Sequence, residues 1–453
     1  AMGFLETYMR NEAGIDIHTK IEYKGTVVLG TVYQDVHSIG KDLARTLLEN
    51  YGYRVIDLGT MVPLQSFIDA AKEHNAHAIG MSALLVQTSN HMITVSLMMQ
   101  EQGLDIPVLI GGAPVSDRHA AYVAMAGKDD QTHMRGDVFY CRTAMDGVNM
   151  MNVLRSGNDL GEVLEQNKRK LQRRLERAEA KAAEEEQLLA TLPRRVVTFE
   201  GHALPEAPRF ARKRIEYTIE EFLPHLDKKT LFSLNWRFGG QSSRERAGHT
   251  EAQLEKLFEE WIARASKHGY VKPQGVIGIY PCQAEGDEVI VYDPEDLAKV
   301  LLRLDFTVVL GAEREDIVSA AQYFQPKASG LYDAIGLQIT TSGAQVDQFL
   351  AEIRASGDSE STLFLQGLSD RIAEDMAEHL HNEQRRLLGL PANQGQRWSP
   401  GYPGMRNITL NAALHHQLDA QALCGITLTD ANEFSPTGTT AAVVSYHRDA
   451  RYT

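Results

Sequence analysis

Apolar residues in the first third of the chain follow two alternating periodicities. Short apolar runs at Val27–Val32, Arg54–Leu58, Ala78–Ala83, Pro107–Ile110 and Val138–Cys141 read as strands, with helix-spaced patterns such as Leu64–Glu73 and Met92–Gln102 between them. Five strands with intervening helices predict an α/β fold, a doubly wound five-stranded parallel sheet. Ahead of it, Phe4, Leu5, Tyr8 and Met9 predict a short helix followed by a polar connector. From about 158 to 192 the chain is Glu, Lys, Arg, Ala and Leu with almost no Gly or Pro, the pattern of a long solvated linker helix. Pro193 ends it, and Pro205 and Pro208 mark a connector. Beyond about 215, helices and strands mix without a βαβ rhythm, which predicts an α+β domain. The expected division is 1–24, helix and connector; 25–157, parallel-sheet domain; 158–214, helical linker and connector; 215–453, second domain.

Composition narrows the function classes. The 453 residues are 43% hydrophobic and 23% charged, in the range of a globular protein of two or three domains. A net charge of −14 argues against a general nucleic-acid binder. No apolar run reaches the roughly 18 residues of a membrane span, and no signal-peptide pattern opens the chain, so a cytoplasmic location is expected. Cys141, Cys282 and Cys424 stand far apart, forming neither a CxxC pair nor a disulfide framework, and they offer no cluster to hold a thiol-activating zinc. His415-His416 and the other scattered histidines are expected at the surface. There is no phosphate-cradling glycine loop, no His-Glu-x-x-His and no nucleophile elbow.

The informative chemistry is Asp35-Val36-His37-Ser38-Ile39-Gly40, between the first strand run and an amphipathic segment from Lys41 to Asn50. A strand that turns through such a loop into a helix puts polar groups at the carboxyl edge of a parallel sheet, where open α/β sheets bind ligands. A neutral imidazole there can hold a transition metal through one nitrogen, while a carboxylate two residues earlier takes a hydrogen bond from the other. The plainer reading is a loop histidine paired with an aspartate. Asp-x-His-x-x-Gly is, however, the spacing of cobalamin-binding domains whose histidine replaces the cofactor's own base on cobalt. In that family a Ser-x-Leu and a Gly-Gly follow at about the spacings of Ser82-Ala83-Leu84 and Gly111-Gly112. Small, hydrogen-bonding positions suit a nucleotide tail that slides in beside the sheet.

Three later stretches extend the resemblance. They are Leu226-Asp227-Lys228-Lys229-Thr230-Leu231-Phe232 with Trp236 and Gly239-Gly240, then Gly275 through Glu288, then Arg397-Trp398-Ser399-Pro400-Gly401-Tyr402-Pro403. In this order after a cobalamin domain, they resemble the activation domain of cobalamin-dependent methionine synthase. The resemblance runs from about residue 25 to Tyr452.

The resemblance implies that His37 is the lower axial cobalt ligand and Asp35 its hydrogen-bonded partner. Thr88 stands where a hydroxyl supports that aspartate, a helix N-cap being its alternative reading. Cobalamin contacts are implied at Gln34, Asp35, Val36, His37, Ser38, Ile39 and Gly40, at Ser82, Leu84 and Val86, and at Gly111, Gly112 and Ala113. In the second domain, Asp227 matches the residue on the amino group of S-adenosylmethionine. Arg397 matches the one on its carboxylate, and Pro400, Gly401 and Tyr402 line that site. Glu378, on a helix expected at Asp370–His381, matches an acidic position near methyl transfer.

The chain departs from the family at Gln34, Ser38, Gly404-Met405-Arg406 and Val444, where Gly, Asp, Ala-Cys-Pro and Tyr are usual. The implied function is a component of methionine synthase. It carries a methyl group on methylcobalamin to homocysteine, and it re-methylates cobalamin oxidised to the inactive cob(II)alamin state, using S-adenosylmethionine and an electron. Folate and homocysteine domains are expected on other polypeptides or on a removed N-terminal portion, with a reductase such as a flavodoxin as partner and no nucleic acid or membrane. The other readings are a corrinoid carrier or sensor whose second domain has lost S-adenosylmethionine and, more remotely, a mutase subunit.

Overall fold

The computed structural model describes residues 22–452 except 129–130, 132–133, 158, 201–211, 237, 239–249 and 357. The expected helix around Phe4 to Met9, together with Pro205, Pro208 and Gly239-Gly240, lies outside them. The chain forms two compact units, Ala1–Ala180 with Ile353–Glu360, and Lys181–Glu352 with Ser361–Thr453.

The first unit is a parallel sheet of β1 (Thr26–Thr31), β2 (Arg54–Asp57), β3 (Ala78–Ser82), β4 (Val108–Gly111) and β5 (Val138–Tyr140), in the order β2-β1-β3-β4-β5. Its connections carry α1 (Ile39–Asn50), α2 (Leu64–Glu73), α3 (Val86–Glu101) and α4 (Asp117–Ala124), and α5 (Ala144–Arg155) follows β5. β1 is buried along its whole length, as a strand covered on both faces must be. Its period of two divides the core: Val28 joins Ile79 and Ile110 on one face, and Val27 joins Ala78, Leu109 and Phe139 on the other. α3 begins six residues before the expected Met92. Its first turn is polar (Gln87, Thr88, Ser89, Asn90), which hides the helix from an apolar-period reading. The linker helix α6 spans Leu160–Thr191 and lends Leu171 and Leu175 to this core.

The second unit is organised on an antiparallel sheet. Its members are β6 (Lys213–Glu216), β7 (Gln274–Glu285), β8 (Glu288–Tyr292), β9 (Val300–Asp305), β10 (Asp333–Thr341), β11 (Gln396–Trp398) and β12 (Thr439–Ser445). The path is β11-β12-β10-β7-β8-β9, and β6 also pairs with β7. Helix α7 spans Glu251–His268, and α8 spans Ser359–Leu387, much longer than the expected Asp370–His381. α8 is tied to the sheet by buried polar groups. Gln338 Nε2 donates to the Ala377 carbonyl at 2.9 Å, Thr340 Oγ1 to the Ala373 carbonyl at 3.0 Å, and Gln384 Nε2 to Gln338 Oε1 at 2.8 Å.

The surface expectation for the histidines does not hold generally. His381 and His447 are buried, and His415 is half-buried with its Nε2 donating to the Ile426 carbonyl at 2.8 Å. Helix and sheet packing took them in, and a histidine's burial leaves no periodic mark in a sequence.

Candidate functional site

The loops after β1, β2, β3 and β4 leave the parallel sheet at one edge and are laced together there. Val32 N–H donates to the Ser82 carbonyl at 3.1 Å, and Ala83 N–H to the Gly111 carbonyl at 3.2 Å. Asp35 sits at the centre, fully buried. Its Oδ2 accepts from Leu84 N–H at 2.6 Å and from Thr88 Oγ1 at 2.8 Å. Its Oδ1 accepts from His37 N–H at 2.9 Å and lies 3.2 Å from His37 Nδ1. Its carbonyl takes Thr31 Oγ1 at 2.7 Å and Met61 N–H at 3.0 Å. Thr88 lies in the first turn of α3, whose N-cap is Leu85, so its hydroxyl serves Asp35 and is not a cap.

Burial alone would raise the Asp35 carboxyl. The bond and charge of His37 and the N–H groups of Leu84 and His37 outweigh burial and hold it below the ordinary value. An anionic acceptor at Nδ1 makes that nitrogen the protonated one and leaves Nε2 as the nitrogen that can meet a metal. An imidazole so oriented suits a borderline transition ion such as cobalt.

The surroundings fit a large ligand with apolar edges. Tyr33, Met61, Leu84 and Val86, on the loops after three strands and at the start of α3, expose large apolar side chains at this edge. Gly40 lies in the first turn of α1 beside Ser82: a Cβ there would lie 3.5 Å from Ser82 Oγ. Gly111 ends β4, Gly112 follows in the left-handed region at φ +130°, and Ala113 is exposed beside them. Ser38 is buried and heads α1, its carbonyl accepting from Asp42 N–H at 2.8 Å; Ile39 opens the helix, and Val36 is half-buried.

Gln34 has φ +64°, a conformation that strains any L side chain and that the family's usual glycine adopts freely. Gln34→Gly is therefore expected to stabilise the first unit by about 1 kcal/mol, read from urea unfolding midpoints. No gain would mean that Gln34's side chain repays the strain.

In the second unit, α8 brings the predicted residues together. Asp227 caps the turn Lys228–Thr230, accepting from Thr230 N–H and Oγ1, while its own N–H donates to Asp375 Oδ2 at 2.7 Å. Arg371 pairs with Asp375 at 2.7 Å. Less than one turn further along, Glu378 receives Arg397 at 3.1 Å and Arg385 at 3.1 Å. Burial lifts the Asp375 carboxyl above the usual range despite these donors. The Glu374 charge acts on both Arg397 and Tyr402. Glu374 and Asp375 escaped the sequence reading, although their spacing from Glu378 on one helix could have signalled them.

Pro400 is buried and Tyr402 exposed. Gly401 at φ +90° closes a tight loop, its N–H donating to the Met405 carbonyl at 2.8 Å. Met405 and Val444 are fully buried, and a Cβ on Gly404 would meet the Trp398 ring at 2.8 Å. Three of the departures from the family pattern thus face the core. Among the described residues, no helix is long and apolar enough to cross a membrane.

Residues 218–453, just over half of the chain, match the family described as vitamin B12 dependent methionine synthase, activation domain, and residues 25–135 match the B12 binding domain. Methionine synthase of Mycobacterium tuberculosis is 26% identical over 472 aligned positions, covering 95% of this chain and 39% of that protein. That of Mycobacterium leprae is 25% identical over 503, covering 100% and 40%. The chain therefore spans about two fifths of the length of these curated relatives. Among solved structures, the crystal structure of the MetH reactivation domain bound to AdoHcy shares the fold, with a TM-score of 0.52 at 23% identity over 59% of this chain and 87% of that one.

Proposed function

Since the chain belongs to the family of the vitamin B12 dependent methionine synthase activation domain, we propose that it is the cobalamin-carrying and reactivation component of such an enzyme. The methyl group passes to homocysteine, and folate and homocysteine are bound by other domains. The observation that carries this reading is the Asp35 carboxylate, buried and held by Leu84 N–H, Thr88 and His37 N–H, which holds the Nδ1 side of the imidazole against it.

When bound, methylcobalamin supplies a cobalt-held methyl group; the chain's residues position it. His37 Nε2 would be its lower ligand. Asp35 keeps the proton on Nδ1 and stabilises added charge on the ring, so ligand strength varies with where that proton rests. Gly40, Ser82, Gly111 and Gly112 leave room for the nucleotide tail. In the second unit, Asp227 and Arg397 would receive the amino and carboxylate groups of S-adenosylmethionine, a guanidinium being suited to a two-pronged carboxylate grip. The core-facing positions of Gly404, Met405 and Val444 favour a working site over a corrinoid carrier or sensor that has lost it. A flavodoxin-like reductase would supply the electron, in the cytoplasm.

The test is a visible spectrum of the chain with methylcobalamin, beside His37→Ala. The wild type should show the spectrum of a histidine-ligated cofactor, and the variant should lose the cofactor or shift to the base-off form. Chemical reduction of the oxidised holoprotein should then restore methylcobalamin only when S-adenosylmethionine is present. Identical spectra for the two proteins would end the axial assignment. Failure with S-adenosylmethionine despite firm cobalamin binding would leave the carrier reading.

A further inference from the structure

One buried imidazole beside the Arg397 site carries a ring nitrogen that no hydrogen bond among the described residues uses. His381, on α8, is 2% exposed, and its Nε2 meets no hydrogen-bond partner among the described residues. Folded proteins keep few such atoms, and each calls for a reason. Helical geometry puts His381 seven residues after Glu374 and three after Glu378, so the three side chains share one stripe of α8. Arg385 and Arg397 converge on Glu378 along the same stripe. Burial, then the charges of these two arginines, push the imidazole down to about 2, so it stays neutral. A neutral imidazole next to two guanidinium groups is ready to donate to an anion that those groups attract.

We propose that His381 is a ligand-binding residue whose Nε2–H donates to the carboxylate of the sulfonium amino acid gripped by Arg397. The inference rests on the reading of this unit as an S-adenosylmethionine site and adds a second carboxylate donor to it. The buried donor would make the amino-acid end of the ligand, not its adenine, the part most sensitive to this position.

The experiment is calorimetric titration of the full chain with S-adenosylhomocysteine and with 5′-methylthioadenosine, which lacks the amino-acid end. His381→Leu should weaken S-adenosylhomocysteine about tenfold or more and leave 5′-methylthioadenosine unchanged, while His381→Gln, which keeps a donor at similar reach, should recover most of the loss. Equal weakening of both ligands would mark a structural role and overturn the proposal, as would no change in either. Should His381→Leu not fold, ¹⁵N spectra of histidine-labelled wild type decide the matter. The His381 Nε2 resonance must move with S-adenosylhomocysteine and not with 5′-methylthioadenosine; an unmoved resonance in bound protein overturns the assignment. Absence of any S-adenosylhomocysteine binding by the wild type would instead overturn the site reading beneath it.

Discussion

Gly112→Ala is expected to unfold the parallel-sheet unit. A Cβ at this position would lie 1.8 Å from the Ala83 carbonyl oxygen and 2.9 Å from the carbonyl carbon, so the obstacle is backbone. Ala83 cannot step aside, because its N–H donates to the Gly111 carbonyl and its residue joins β3 to the loop that holds Asp35. The φ of +130° adds strain that no L side chain tolerates well. Together these should cost more than about 4 kcal/mol, a large part of the 5–15 kcal/mol that holds a typical domain. Gly59 is the control. At φ +83°, with nothing within 4 Å of its would-be Cβ, Gly59→Ala should cost only about 1 kcal/mol. Urea unfolding followed by far-ultraviolet circular dichroism would separate the two. A Gly112→Ala midpoint near that of the wild type would show that the β3–β4 edge yields more than its hydrogen bonds imply.

Gly112 also shows what kind of information the sequence carried. Read as one of two glycines making room for a ligand, it has a prior duty to the fold itself, which only coordinates reveal. The five strands were legible within a residue or two because each is a short run between polar loops, and in β1, β3 and β4 burial on both faces leaves no alternation to confuse. The Asp35–His37 pair was legible in outline from spacing and Thr88 beside it from the family resemblance, while the donation from Leu84 N–H was not, since a backbone donor leaves no trace in residue type. In the second unit, the topology was beyond reach because antiparallel strands far apart in sequence, such as β7, β10 and β12, pair without a repeating rhythm. Arg397 and Asp227 were singled out by the resemblance of their motifs to the family. Their bonds to Asp375 and Glu378 of α8 pair residues far apart in sequence and leave no mark in residue type, although both carboxylates, with Glu374 and His381, lie inside the expected Asp370–His381.

Lys41 was least legible of all, since a lysine in the first turn of a helix is expected in water, and its burial leads to the second large effect. Lys41 is 2% exposed, with Nζ donating to both Asp57 oxygens at 2.7 Å and lying 2.7 Å from Asp42 Oδ1. Asp57 also receives Arg45 at 3.0 Å and Gly59 N–H at 2.9 Å. This cluster ties the start of α1, directly after the His37 loop, to the end of β2. Asp57→Asn would leave a buried ammonium without its main counter-charge, and should cost about 3 kcal/mol near neutral pH and weaken methylcobalamin retention. Lys41→Met should cost less, because the carboxylate it leaves is more exposed and keeps Arg45 and Gly59 as donors. The pH dependence follows from the direction of the shift. Burial alone would raise the Asp57 carboxyl, but Lys41, Gly59 N–H and Arg45 hold it below its ordinary 3.8. A depressed folded-state value contributes stability that is present above the unfolded value and lost as pH falls through the folded one. The gap between wild type and Asp57→Asn should therefore be full at pH 6 to 7 and narrow below about 4, as the wild-type carboxylate takes up its proton. Melting temperatures of both proteins from pH 7 to pH 3 would decide it. A gap that stayed constant across that range would mean the cluster acts through packing and hydrogen-bond shape, with its charge contributing nothing.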